Sequence, residues 1–183
     1  MVVEKFSNKY RISSARAYWH DYDGGMYFIT VCTEGFVHYF GKIENGEMKL
    51  NLLGKYVANC IENTPTHFPD VIIPVYVVMP NHIHLIVCID GNNRGNLESR
   101  CSRDVACNVS TMSRISPKPG SLPTVIRSIK SAVTRYANQH CIPFQWQSRF
   151  HDRIIRNQNE CNRIADYIDH NPENWMKDEL NVH

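Results

Sequence analysis

His82 and His84, in the stretch Met79-Pro80-Asn81-His82-Ile83-His84-Leu85-Ile86-Val87, are the residues of this chain best spaced to do chemistry. In an extended strand alternate side chains share a face, so both imidazoles project to one side while Ile83, Leu85, Val87 and Ile89 project to the other. Their Cα atoms then lie about 7 Å apart, close enough for both rings to converge on one metal ion. The apolar back of the strand would hold them rigidly against a core. A bare His-x-His is a weak signal, but its flanks strengthen it. Pro80-Asn81 is a turn signal, and it separates two runs, 71–78 and 82–89, that both read as interior strands. Position 86 is Ile, which argues against the His-x-His-x-His of a histidine-triad nucleotide hydrolase.

Such a strand needs partners, and the rest of the chain supplies them. Met26 to Cys32 is aromatic and β-branched and reads as a strand. A hairpin is expected next, with 36–40 joined to 48–50 through the turn Glu44-Asn45-Gly46. From Asn51, a candidate cap, Leu52, Leu53, Tyr56, Val57, Cys60 and Ile61 form a helical stripe that Pro65 should stop. Ser121-Leu122-Pro123-Thr124 opens a second helix with Val125, Ile129, Ala132, Val133 and Tyr136 on its buried face. Residues 144–147 and 150–156 alternate as a strand region, and 157–170 reads as a last helix stopped by Asn171-Pro172. In that helix Cys161, Ile164, Ala165 and Ile168 make the buried stripe, and Tyr167 lies on the adjacent face. The order predicts an α+β fold, an antiparallel sheet with helices on one face.

With 183 residues the chain is long enough for a single domain, 1–183, with 1–23 as an N-terminal arm and 91–120 as a flexible loop. Apolar and charged contents of 43% and 21% are those of a globular protein. The absence of a long apolar run or a leader-like start points to a cytoplasmic protein without a membrane partner. Seven cysteines without a Cys-x-x-Cys fit a reducing compartment better than a disulfide framework, although Cys101 and Cys107 share a polar loop that could take zinc. Between positions 94 and 135 eight basic residues stand against two acids, an excess suited to a nucleic-acid backbone. Downstream, Trp146 and Phe150 alternate with Arg149, Arg153 and Arg156, a pattern suited to stacking on splayed bases while holding phosphates.

Three motifs together resemble one family. Met-Pro-Asn-His-Ile-His resembles the His-hydrophobic-His motif of single-tyrosine transposases in the HUH endonuclease superfamily, and the REP-associated tyrosine transposases are the most similar branch. Tyr167-Ile168-Asp169-His170-Asn171-Pro172 resembles that branch's Tyr-Ile-x-x-Asn-Pro signature. The stretch 144–156 is similar to its Phe/Trp-Gln-x-x-x-x-Asp-x-Ile-Arg region, so the likeness runs from about Tyr18 to Trp175.

The resemblance implies a ferredoxin-like, RRM-like core with a C-terminal helix carrying the nucleophile, Tyr167. It implies His82, His84 and Asn171 as metal ligands, Asn171 standing where related enzymes carry Gln, with His170 an alternative neighbour. The metal implied is Mg²⁺ or Mn²⁺. The activity implied is single-stranded DNA nicking and strand transfer through a 5′-phosphotyrosine, on DNA bearing a hairpin. Arg127, Lys130, Trp146, Arg149, Arg153 and Arg156 are the expected DNA contacts. A metal-dependent hydrolase without a covalent intermediate and a catalytically silent binding module remain as alternatives. A monomer acting in cis and a homodimer sharing sites both stay open.

Overall fold

The protein is described by a computed structural model that covers residues 24–90 and 120–181, together with the backbone of a short pairing of β1, Lys5–Phe6, with β2, Lys9–Tyr10. The expected arm 1–23 otherwise lies outside the described residues. So do 91–119, which hold nearly all of the expected loop, the Cys101 and Cys107 pair and part of the basic stretch.

β3, Gly25–Cys32, is followed by a hairpin of β4, Gly41–Glu44, and β5, Glu47–Leu50. This is a correction to the expected hairpin, whose first strand was set at 36–40. Asn45 and Gly46 both have positive φ, 54° and 77°, as a two-residue primed turn requires. Such a turn pairs the residues on either side of it, Glu44 with Glu47, and so places the strand at 41–44. Residues 36–40 instead loop away and deliver the Phe40 ring into the core. Gly41 closes the hairpin, because a Cβ there would sit 2.1 Å from the Lys49 carbonyl oxygen.

Helix α1, Leu52–Glu62, begins at Asn51, whose side-chain oxygen accepts from the Gly54 N–H at 2.9 Å. Pro65 does not merely stop it. It opens a four-residue helix, α2, Thr64–His67, near whose start a missing N–H costs nothing. β6, Val71–Val78, and β7, His82–Ile89, take the bounds that their apolar runs predict. Helix α3, Leu122–Gln139, leads to β8, His151–Ile155, and then to α4, Gln158–Asp169. Of 144–147, only Trp146 makes a bridge, to Thr33.

The main sheet has the order β6-β7-β3-β8 and is antiparallel throughout. Its two faces have separate cores. Tyr27, Ile29 and Val31 of β3 and Ile83, Leu85 and Val87 of β7 pack with α1 and α3. The opposite face, with Ile86 and Ile155, packs against Ile164 and Ile168 of α4. A register shift in β6 around Pro74 swaps that strand's faces, so Val71 and Val78 join the first core and Val75 and Val77 the second. Pro74 is tolerated because β6 is an edge strand. The α1 and α3 side fits the α+β expectation. The C-terminal helix covers the other face, a correction to the expectation that the helices share one face: the apolar side chains Ile86 and Ile155 on that face need a cover of their own.

Candidate active site

His82 and His84 point to the α4 face of β7, the face opposite Ile83 and Leu85. Both are withdrawn from solvent, at 0% and 3% exposure. Burial pushes the His82 imidazole down to about 3, and burial assisted by the neighbouring His82 does the same to His84, so both are neutral near pH 7. Register fixes their surroundings: Cys32 lies opposite His82, and Thr30 opposite His84. The Thr30 hydroxyl is 2.8 Å from His84 Nδ1, while His82 Nδ1 lies 2.8 Å from the Asn81 side-chain oxygen. The Nε2 atoms are thereby left for other work.

A third group joins them from the end of the chain. Beyond α4 a short 3-10 turn, Trp175–Lys177, packs the Trp175 ring near His82 at 6.0 Å and presents Asp178. Asp178 Oδ2 is 3.8 Å from His82 Nε2, and one ligand atom from each of His82, His84 and Asp178 lies within 4.8 Å of the others. His82 Nε2 and Asp178 Oδ2 are both buried without a hydrogen-bond partner, as is Asn171 Oδ1. A histidine nitrogen and carboxylate and carboxamide oxygens left buried without partners are donors of the kinds that bind divalent cations, so the cluster fits one.

Tyr167 overhangs this cluster. Ile168, fully buried, anchors α4 on the sheet, and truncating such a residue costs on the order of 2–5 kcal/mol. The neighbouring Tyr167 is therefore held at the margin, 48% exposed, with its hydroxyl 3.5 Å from His84 Nε2 and its ring edge-on to Phe28. Burial, then the Asp178 carboxylate, raise its phenol above the usual range, against a lowering by a hydrogen bond from the Asn171 side chain. Asn171 is thus brought to the site, but His170 is not: it is exposed, and its Nδ1–H donates to the Asp166 carbonyl at 2.7 Å.

The six expected DNA contacts do not form one patch. Arg127 and Lys130 line a groove of about 720 Å³ between α3 and the 144–150 segment, on the side of the sheet away from α4. Trp146 also borders it, but as a correction to its expected stacking role its ring is buried against Phe40 and Phe144, and its indole N–H donates to the Lys130 carbonyl at 3.2 Å. Stacking on a base would require uncovering it. The Lys130 ammonium donates to the Gln147 carbonyl at 2.6 Å, and burial lowers its basicity. Arg153 lies in register with Phe28 on the α4 face and pairs with Glu160 at 2.6 Å. The same Glu160 accepts from the backbone N–H of Arg156, and the Arg149 and Arg156 side chains are exposed.

Asp178 and Asn81 were not among the expected site residues. Nothing in a single sequence marks an aspartate in a polar C-terminal stretch, whereas Asn81, adjoining the first histidine, was legible as a neighbour but not as a partner.

No family model matches the chain. An uncharacterized protein of Haemophilus influenzae is 37% identical over 164 residues, 86% of each chain. A solved REP-associated tyrosine transposase bound to a REP hairpin superposes with a TM-score of 0.55 at 20% identity, covering 88% of this chain and 73% of that one. A Deinococcus radiodurans structure, at 11% identity and a TM-score of 0.44 over 86% of this chain and 96% of its own, is too distant to weigh. The fold is similar to that of the solved REP-associated tyrosine transposase. The chain belongs to one family with the Haemophilus influenzae protein.

Proposed function

We propose that the chain is a metal-dependent, transposase-type enzyme that nicks single-stranded DNA and transfers the cut strand. The observation that carries this reading is the approach of the Tyr167 hydroxyl to within 3.5 Å of His84 Nε2, beside a buried His-His-Asp cluster with unpartnered acceptors.

In this reading His82, His84 and Asp178 would hold the cation, and Asn171, whose buried Oδ1 has no hydrogen-bond partner, is a further candidate oxygen donor. When bound, the cation supplies Lewis-acid neutralisation of the non-bridging phosphate oxygens. Mixed nitrogen and oxygen donors suit Mn²⁺ better than Mg²⁺, which takes oxygen shells. The Tyr167 oxygen attacks phosphorus and loses its proton. The P–O3′ bond breaks, and the departing oxygen takes up a proton to become a 3′-hydroxyl. The 5′-phosphotyrosine left behind keeps the bond energy, so another 3′-hydroxyl can reverse the step and complete strand transfer. Asn171 supports the phenolate by hydrogen bonding, and half-exposure leaves the hydroxyl reachable by a phosphate.

The α3 groove is the part of the surface best suited to the flanking strand. Its cations Arg127, Lys130 and Arg135 are accompanied by Asn138, Gln145 and Gln147 and by no acid. The segment that walls it runs on into the edge of β3, where the Gln147 N–H donates to the Cys32 carbonyl at 2.9 Å, and Cys32 lies opposite His82. A strand in the groove therefore has a short path round the sheet edge to the histidines. The hairpin held by the structurally similar transposase makes hairpin-bearing single-stranded DNA the substrate to try first.

The test is a suicide single-stranded substrate, unable to religate, incubated with Mn²⁺. A covalent adduct mapping to Tyr167 is expected. Cleavage without an adduct at any time point would replace the reading with hydrolysis by water.

A further inference from the structure

Asn81 is completely buried, and both ends of its amide are committed. Its nitrogen donates to the carbonyl of Phe36 at 3.1 Å and to the carbonyl of Leu180 at 2.7 Å. Carbonyl oxygens only accept, so these two contacts fix which end of the amide is NH₂. The oxygen end must then face His82 Nδ1, 2.8 Å away. A carboxamide oxygen also only accepts, so the proton of the neutral imidazole has to reside on Nδ1. Its lone pair is left on Nε2, the buried and unpartnered atom turned toward Asp178. A free histidine side chain prefers the opposite arrangement, with the proton on Nε2, which would close the site to a cation.

We propose that Asn81 is a positioning residue that holds His82 in its ligating tautomer, and that it does so through the docked C-terminal segment 175–181. Leu180 is the joint. Its carbonyl holds the Asn81 amide, and its N–H donates to Asp178 Oδ1 at 2.8 Å, which leaves Oδ2 for the site. One backbone unit therefore orients both an imidazole and a carboxylate of the same cluster. Undocking the segment releases the two together, so metal binding and C-terminal order are coupled. The purpose assigned to the tautomer rests on the proposed metal-dependent function, but the tautomer itself exists without metal.

The experiment uses the full-length ¹⁵N-labelled chain at pH 8 with no added metal. Long-range ¹H–¹⁵N spectra report which ring nitrogen of His82 is protonated, with the resonance assigned by loss in His82→Asn. Wild type is expected to carry the proton on Nδ1. Asn81→Ala is expected to show Nε2-protonated ring and to bind Mn²⁺ about 10- to 100-fold more weakly, the range for a lost second-layer partner. Asn81→Asp covers the case in which the alanine variant fails to fold. It keeps an acceptor for Nδ1–H but cannot donate to Leu180, so the tautomer should persist while amide hydrogen exchange at 178–181 rises. An Nε2-protonated His82 in wild type, an unchanged tautomer with Mn²⁺ affinity within twofold in Asn81→Ala, or unchanged exchange in Asn81→Asp overturns the inference. A wild type with Nδ1 protonated that binds no divalent ion leaves the inference standing and overturns the metal reading instead.

Discussion

Tyr167 and His84, separated by 83 positions in the chain, meet with the phenolic oxygen 3.5 Å from Nε2. The contact is made within one chain, because α4 folds back over the strand that carries the histidine. Tyr167→Phe keeps the ring on Phe28 and removes only the hydroxyl. It should abolish adduct formation and lower cleavage on the order of 10³-fold or more, with stability changed by less than about 0.5 kcal/mol. Gel-resolved adducts and denaturant melts check both halves.

The same contact predicts action in cis. Mixing a Tyr167→Phe chain with a His82→Ala chain should recover no cleavage, since neither chain holds a complete site. Restored cleavage would mean that α4 exchanges between subunits.

Asp178 bears on Tyr167 as well as on the proposed cation site. Asp178→Asn should weaken Mn²⁺ binding by roughly tenfold or more, about 1.4 kcal/mol or more, and by more than Asn171→Ala does. Without metal the same change should lower the Tyr167 phenol, because the carboxylate that helps keep it protonated is gone. Asn171→Ala should raise it, by removing the opposing hydrogen bond. Ultraviolet titration of wild type against each variant, with Tyr167→Phe identifying the transition, reads the two opposite signs.

The neutral histidines set an acid limit on stability. Both are held at about 3 in the folded chain and return to their ordinary value of 6.5 on unfolding, so the unfolded state takes up the protons first. Stability should be undiminished by this pair above pH 6.5 and fall as pH drops from there toward 3. The slope approaches about 1.4 kcal/mol per pH unit for each histidine. Chemical denaturation from pH 7.5 to 4.5 measures it, and a His82→Asn, His84→Asn double variant should flatten that limb.

Single-stranded DNA affinity should fall with salt by roughly 0.7 log units per decade for each neutralised phosphate. Replacing Arg127 and Arg135 with Ala should reduce the slope by about the two lost contacts, leaving Mn²⁺ affinity unchanged. Salt-independent binding, or a preference for blunt duplex, would remove the groove from the substrate path.

Much of this arrangement was written locally. Strands 71–78 and 82–89 follow from apolar runs broken by Pro80-Asn81, and the alternation across His82 to Ile89 puts both imidazoles on one face. The last helix is bounded by Asn157, whose side chain caps it at the Glu160 N–H, and its 3.6-residue stripe sets Tyr167 beside the buried Ile168. Periods of two and 3.6 are properties of a few consecutive residues, so a single sequence carries them. The primed turn at Asn45-Gly46 was equally local. It dictated a hairpin register that hydrophobicity alone misassigned, because Phe40 is apolar for the sake of the core and not of a strand. Only the tertiary structure decided that α4 lies on the face opposite α1 and α3. That choice depends on which sheet face remains uncovered, and it alone brings Tyr167 to His84. It likewise decided that Trp146 is core, that Asp178 is the third member of the histidine cluster, and that Asn81 is gripped by Leu180. Loop and terminal side chains have no period to reveal their direction, so their partners are settled only when distant segments pack.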